Sequence, residues 1–516
     1  MFAQVQLNWL DYGAIGTYAI TLTVLGLWFA RAQRTSQEYL LAGRSMGWLV
    51  VSISQSASLL SAISYLGSPG ETYAYDLKYV PFALCGILIV PVAVFFFLNF
   101  FYRLRVVSIY QYLERRFNYP TRLLAATFFI LARLCWMATI VSAVSIAVEA
   151  LTGVDAWVSI VLTTVVATAY TLLGGMKAII WTDVIQFVLY TAGLIGALVL
   201  IGLTDSFEQL YEVLVRDQKL RTLDFSLDPT VRMTVWIAIG AGSVSGLANL
   251  TDQVSMQRYL ACKSLRDAQW ALWAKPALSI PLNVLMFGLG LALYAHYQLN
   301  QELAEGIVKA DQAFPHFILH EMPHGLCGLI IVAIFAAAMS SIDSGIHTVS
   351  TVCIEDFYKR LFRPDASDRH CLILARCLMV FWGCVIVSIA LAYGQVGSIF
   401  DMMASLMAPF FGCATGIFLL GTASRRANAG GTLCGGLIGY ALVMWVAFCF
   451  HQVDGQWHFL PAAADATDVK VISKFWYPFV SFIGTITSGY LISLALPRPA
   501  EQQVRGLNIW DRHLES

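Results

Sequence analysis

The chain has 516 residues, 58% of them hydrophobic and 12% charged, with a mean hydropathy of +0.68. Its 32 basic and 32 acidic residues cancel, which excludes the basic field of a nucleic-acid binder, and the apolar balance excludes a soluble globular domain. The eleven cysteines fall mostly inside apolar runs with no CxxC, so disulfide and zinc frameworks are excluded as well.

Apolar runs of about 20 residues, enough to cross a bilayer as a helix, fall roughly at 10–30, 45–66, 79–101, 123–150, 156–173, 178–203, 233–254, 271–297, 325–354, 371–394, 398–421, 432–451 and 475–496. They predict an all-α membrane protein with thirteen transmembrane helices. Of the 32 Lys and Arg, twenty-one fall in one set of alternate loops, among them Arg31, Arg34, Arg105, Arg258 and Arg512. Eight fall in the other set, and Arg133, Lys275 and Arg376 sit within spans. The positive-inside rule then places the N-terminus outside and the C-terminus in the cytoplasm. Met1 to Leu10 lacks the basic start of a cleaved signal, and the first apolar run is a full-length span. The only Asn-x-Ser/Thr triplet, Asn249 to Thr251, lies within a span, which favours a bacterial inner membrane. The long loops 204–232, 298–324 and 452–474 are expected outside, as caps over an entrance.

Two spans are interrupted. The second carries Ser52, Ser54, Ser56, Ser58, Ser61 and Ser64 before Gly67-Ser68-Pro69-Gly70, and the seventh, IGAGSVSGLANLTDQVSMQRYL, is equally rich in Gly and Ser. Each opens a unit of five spans, and an odd number gives the two units opposite topology, the pattern of an inverted-repeat transporter with its site at the interrupted helices. The expected organisation is a peripheral helix and loop at 1–44, a first repeat at 45–203 and an outer loop at 204–232. A second repeat follows at 233–421, then two peripheral helices and a tail at 422–516.

The ninth span is the most unusual. Within Val332 to Arg360, the residues Ser340, Ser341, Asp343, Ser344, His347, Thr348, Ser350 and Thr351 stand where hydrocarbon is expected. Ala337, Ser341 and Ser344 share one helical face, beside Ser340, Asp343 and His347. Hydroxyls alone are common glue between membrane helices. A carboxylate at mid-membrane points further, to a site with hard oxygens for a weakly held cation.

The segments ASLLSAISYLGSPGETY, LLGGMKAIIWTDVIQF, TDQVSMQRYLACKS and AAAMSSIDSG closely resemble the sodium:solute symporter family over about Thr35 to Leu420. The resemblance implies a LeuT-type fold of two inverted five-helix repeats. It implies a sodium ion held by the carbonyls of Ala57, Leu60 and Ala337 and the hydroxyls of Ser340 and Ser341. It also implies a second sodium at Asp183 with Ser340 and Ser344, next to Asp343, which replaces a serine of the family pattern. Two ionised carboxylates there would require sodium or a proton between them; the alternative to a cation ligand is a pair between Asp183 and Lys177 or a helix end. For the solute, the resemblance singles out Ser58, Ser61 and Ser64 on the interrupted helix. Asp252-Gln253-Val254 stands where the sugar branch has Asn-Gln-Tyr, so the tyrosine is missing, which argues against glucose. Arg133 is a natural partner for a substrate carboxylate or for an internal acid, and Phe82 and Trp136 are candidate apolar walls.

The function expected is sodium-coupled import of a small organic anion, such as a monocarboxylate or a sialic acid, across the cell membrane. Alternatives within the family are sugar or amino-acid symport, and proton coupling through Asp183 and Asp343. An enzyme would need a catalytic constellation, and no HExxH, GxSxG or phosphate loop is present; a channel would need a repeated filter. No obligate protein partner is implied.

Overall fold

Inside hydrocarbon each backbone N–H and C=O must be paired within its own segment, and the chain is accordingly almost all helix. The computed structural model describes residues 8–30, 35–104, 106–393, 399–453, 456–460 and 469–511. Arg31, Arg34, Arg105 and Arg512 of the charge asymmetry, and the expected span ends at 394 and 398, lie outside the described residues. In chain order the main helices are α1 (Trp9–Ala30), α2 (Trp48–Leu59), α3 (Ala62–Ala74), α4 (Val80–Arg103), α5 (Tyr119–Thr152), α6 (Ala156–Leu172), α7 (Gly174–Thr204) and α8 (Val235–Thr251). They continue as α9 (Gln253–Leu260), α10 (Leu265–Leu299), α11 (Leu326–Val352), α12 (Asp368–Tyr393), α13 (Ile399–Leu406), α14 (Ala408–Ala423), α15 (Ala429–Cys449) and α16 (Tyr477–Ala495).

Among the described residues, nine helices are long and apolar enough to cross a membrane, and two bent pairs raise the number to eleven. The bent pairs are α2 with α3, at 58°, and α13 with α14, at 46°. Two shorter apolar helices, α6 and α8, fall below that length. Gly175, with φ of 53°, turns the chain within the first residues of α7, so that α6 and α7 form separate helices, in a conformation that an L side chain resists.

The interruptions expected from sequence are present, and each has a local cause. Leu60 leaves the helical region (φ −92°, ψ 84°), and Ser61, extended, caps α3 by accepting from the Ile63 amide. At the second break Asp252 is extended (φ −97°, ψ 125°) and caps α9 through the Ser255 amide, 3.2 Å away. A third bend, not expected from the sequence, falls at Met407 between α13 and α14, where Pro409 in the first turn of α14 has no N–H to continue the hydrogen-bond ladder of α13.

Helix α11 runs through the middle of the bundle against α7, with nearly every residue from Ile330 to Val352 buried. At one end a three-stranded antiparallel sheet, β1 (His451–Val453), β2 (Gln456–His458) and β3 (Lys470–Val471), has the order β2-β1-β3 and pairs His451 with both His458 and Val471. We call this the cap end. Outside the bundle's centre α15 and α16 meet along small residues: a Cβ on Gly435 would lie 2.5 Å from the Gly489 Cα. Such close approach lets backbones pack directly. Gly435→Ala should therefore cost about 1–3 kcal/mol by overpacking, read as a lower melting temperature in detergent. Gly13→Ala, where nothing lies within 4 Å of the new methyl, should leave melting unchanged.

Candidate functional site

Because α2 stops at Leu59, the carbonyls of Ala57 and Ser58 face the break. Two hydroxyls of α11 reach them: Ser340 Oγ donates to Ala57 O at 3.2 Å and to Ala337 O at 3.1 Å, and Ser341 Oγ donates to Ser58 O at 3.0 Å. Ala57, Ala337, Ser340 and Ser341 are all buried. Thus Ala57, Ala337, Ser340 and Ser341, all expected as sodium ligands, meet at one point, with Leu60 at the break itself. A hydroxyl that donates to a carbonyl can instead turn its lone pairs to a cation, and the freed carbonyl then becomes a further ligand. These are hard, neutral oxygens, suited to a weakly held alkali ion.

One turn further along α11 the expected cluster carries a residue that the sequence placed elsewhere. Arg258, counted among loop charges, is completely buried in α9. Its guanidinium donates to Asp183 Oδ2 (2.9 Å), Ser54 Oγ (2.9 Å), Ser344 Oγ (2.5 Å) and Val254 O (3.1 Å). Ser54 Oγ also donates to Asp183 Oδ2, at 2.5 Å. Asp343 is held separately, accepting from Tyr170 (2.6 Å) and from the Ser344 amide and hydroxyl. Arg258 thus compensates the charge of Asp183, whereas Asp343 has, among the described residues, only the neutral donors Tyr170 and Ser344, so one guanidinium faces two buried carboxylates. Asp183 does not pair with Lys177. The Oδ1 atom of Asp183 stays buried without a partner.

The solute candidates separate into two groups. A cavity of about 210 Å³ is lined by Phe82, Arg133 and Trp136, with Tyr79, Phe411 and Phe475 completing an aromatic wall. Ser245, Asn249 and Lys474 are its other polar members, and the sequence reading missed all three. Asn249 and Ser245 sit one turn apart on α8, a spacing visible in the sequence, whereas Lys474 reaches the cavity only through the tertiary path of the last helix. Ser58, Ser61 and Ser64 do not line this cavity. Ser61 caps α3, Ser58 Oγ is buried without a partner, and Ser64 is half-buried. Arg133 holds Asp252 in a two-pronged ion pair (3.1 and 2.5 Å), so the internal-acid alternative describes its geometry. Gln253 does not line the cavity; its amide donates to Val107 O and accepts from the Ile109 amide, tying α9 to the segment after α4.

Toward the cap end Arg232 bridges Glu71 on α3 (2.9 and 2.7 Å) and Asp401 on α13 (2.8 Å). Beside them Asp311, in the turn Ala310–Gln312, accepts from the Ile399 amide at 3.1 Å, and a Cβ on Gly70 would collide with its carboxylate. Burial pushes the Asp311 pKa up to about 6, and the nearby Glu71 and Asp401 carboxylates add to the rise.

The description of the sodium:solute symporter family matches residues 39–439. The chain belongs to that family. Among relatives of this symporter, sodium-coupled monocarboxylate transporter 2 of Homo sapiens is 30% identical over 97% of this chain and 86% of its own length. The sodium/sialic acid symporter SiaT of Proteus mirabilis is 29% identical over 85% of this chain and 89% of its own. A Na+-coupled sialic acid symporter solved in a substrate-bound, outward-open state superposes with a TM-score of 0.84, at 26% identity, covering 96% of this chain and 99% of that one. The symporter therefore has the LeuT-type fold.

Two outcomes follow for this symporter. Arg258→Met leaves Asp183 buried and unpaired, and should destabilise the protein by about 3–5 kcal/mol; adding Asp183→Asn should recover a large part of the lost melting temperature. The raised pKa of Asp311 means that the folded state prefers the protonated acid, so its contribution is fully present below the ordinary aspartate range and is lost as pH rises through about 6. Melting temperature should rise as pH falls from 7 toward 5, and Asp311→Asn should flatten that part of the profile.

Proposed function

We propose that this symporter couples sodium entry at the α2–α3 break to import of a small organic anion, such as a monocarboxylate or a sialic acid, by alternating access. The observation that carries the reading is the convergence of the Ser340 and Ser341 hydroxyls on the carbonyls of the broken helix. Sodium bound there by Ala57, Leu60, Ala337, Ser340 and Ser341 would join α2 to α11, so ion occupancy and helix arrangement would be linked. The solute cavity opens beside the second break, where α8, α5 and α4 meet. The names of the relatives support an anion, and the absence of a tyrosine at Val254 argues against a sugar.

The two repeats are assigned to 45–203 and 233–421. Nine spans, two bent pairs and the shorter α6 and α8 support thirteen crossings, with the N-terminus and the cap end outside, the C-terminus in the cytoplasm, and the whole in a bacterial inner membrane. A second sodium would have to use Asp183 Oδ1 and displace the Arg258 contact from Ser344. A proton on Asp343 is the other way to balance the pair, because its donors are uncharged while Arg258 matches only Asp183.

In reconstituted vesicles, Ser340→Ala with Ser341→Ala should raise the sodium concentration for half-maximal uptake by about tenfold or more, the loss of two ligands at roughly 1 kcal/mol each. Unchanged sodium dependence would remove this site. A panel of carboxylates, sugars and amino acids should show sodium-driven uptake confined to the carboxylates.

A further inference from the structure

The charges around the solute cavity do not balance. Arg133 presents a guanidinium to it, but two of its N–H groups already hold both oxygens of Asp252, and the Phe411 ring lies 5.4 Å from its centre. That pair is electrically neutral and geometrically complete. Lys474 lines the same cavity and forms no ion pair or side-chain hydrogen bond among the described residues. Its turn, Lys474–Trp476, leads into α16 and carries Phe475 against Tyr79 and Phe82, at ring separations of 5.5 and 6.4 Å. The lysine is thus held at the wall by a packed aromatic neighbour, half-buried and with its charge unmatched, where the cavity can bring a counter-ion to it.

We propose that Lys474 supplies the counter-charge for the carboxylate of the transported anion and so decides that the cargo is a monoanion. This rests on the functional reading given above and narrows it. Most of the remaining lining is aromatic or aliphatic, with Met403 and Met407, and Asn249 turns its amide NH₂ to Ser245 O of its own helix at 3.0 Å. A polyhydroxylated acid would leave most of its hydroxyls without partners on such a wall, whereas a carboxylate on a compact apolar body matches both the single charge and the lining. The preferred cargo is therefore a small apolar-bodied monocarboxylate.

The test uses the protein in vesicles under an inward sodium gradient, with benzoate and phenylacetate outside, each paired with its amide. Lys474→Gln should raise the half-saturating acid concentration by about tenfold and leave weak competition by the amides unchanged, while Lys474→Arg restores the acid. The sodium requirement at fixed saturating acid should not move. Lys474→Met provides the same measurement should the glutamine variant fail to reach the membrane. Equal losses for acid and amide, or none for the acid, would overturn the role of Lys474 while sodium-driven uptake of the acids left the functional reading standing. Sodium-driven uptake of a neutral sugar with no uptake of either acid would overturn both.

Discussion

A broken helix in hydrocarbon leaves carbonyls that must find donors, and the centre of this protein is arranged around that requirement. Ending α2 at Leu59 frees the Ala57 and Ser58 carbonyls, each of which would cost several kcal/mol if left alone. The hydroxyls of Ser340 and Ser341 meet them from α11. The same bonds fix how α11 sits against α2, and through α11 the position of α7 behind it. What stabilises the break is therefore also what a cation would replace, ligand for ligand, so the structure at this point is poised between two sets of bonds of similar chemistry.

The buried charges obey a second rule, pairing across helices that are distant in sequence. Arg258 with Asp183, Arg133 with Asp252, and Arg122 with Asp356 each join different segments. Arg116, fully buried without an acid, caps the end of α14 by donating to Gly421 O and Ser424 O and reaches Ala427 O beyond it. Arginine suits these places because its planar fork satisfies several oxygens at once and keeps its charge. Removing one partner from such a set costs more than the set itself contributes, since the other is left desolvated.

The sequence made the fold readable for a simple reason: long apolar runs, glycine and serine at the two interruptions, and local motifs all report on chain-local physics. Ser340 and Ser341 were legible for the same reason, since hydroxyls in mid-membrane stand out in the sequence, whereas Ala57 and Leu60 came from the family resemblance alone. Arg258 was not. It follows the Asp252 break by six residues and looked like the first basic residue beyond a membrane end, because the hydropathy of a short half-helix does not reveal which way its far end is buried. The pairings of Arg133 and Gln253 were hidden for a related reason, because hydrogen-bond partners lie more than a hundred residues away. Lys474 entered the solute cavity unannounced, as the last helix is only peripheral in sequence order.

The bridge of Arg232 to Glu71 and Asp401 behaves differently from the deeper pairs because it lies at a boundary that water can reach. Glu71 is 5% exposed here, with the Tyr75 ring 4.5 Å from the guanidinium centre. Dry, the bridge is strong; wetted, its worth falls toward that of an ordinary surface pair. The first few waters admitted between α3 and α13 would weaken the very contact that keeps further water out. Such a contact would favour the fully made and fully broken arrangements over anything between them. Positive feedback of this kind turns a graded loosening of the cap end into an abrupt transition, the property a carrier needs if its pathway is not to leak ions during the crossing.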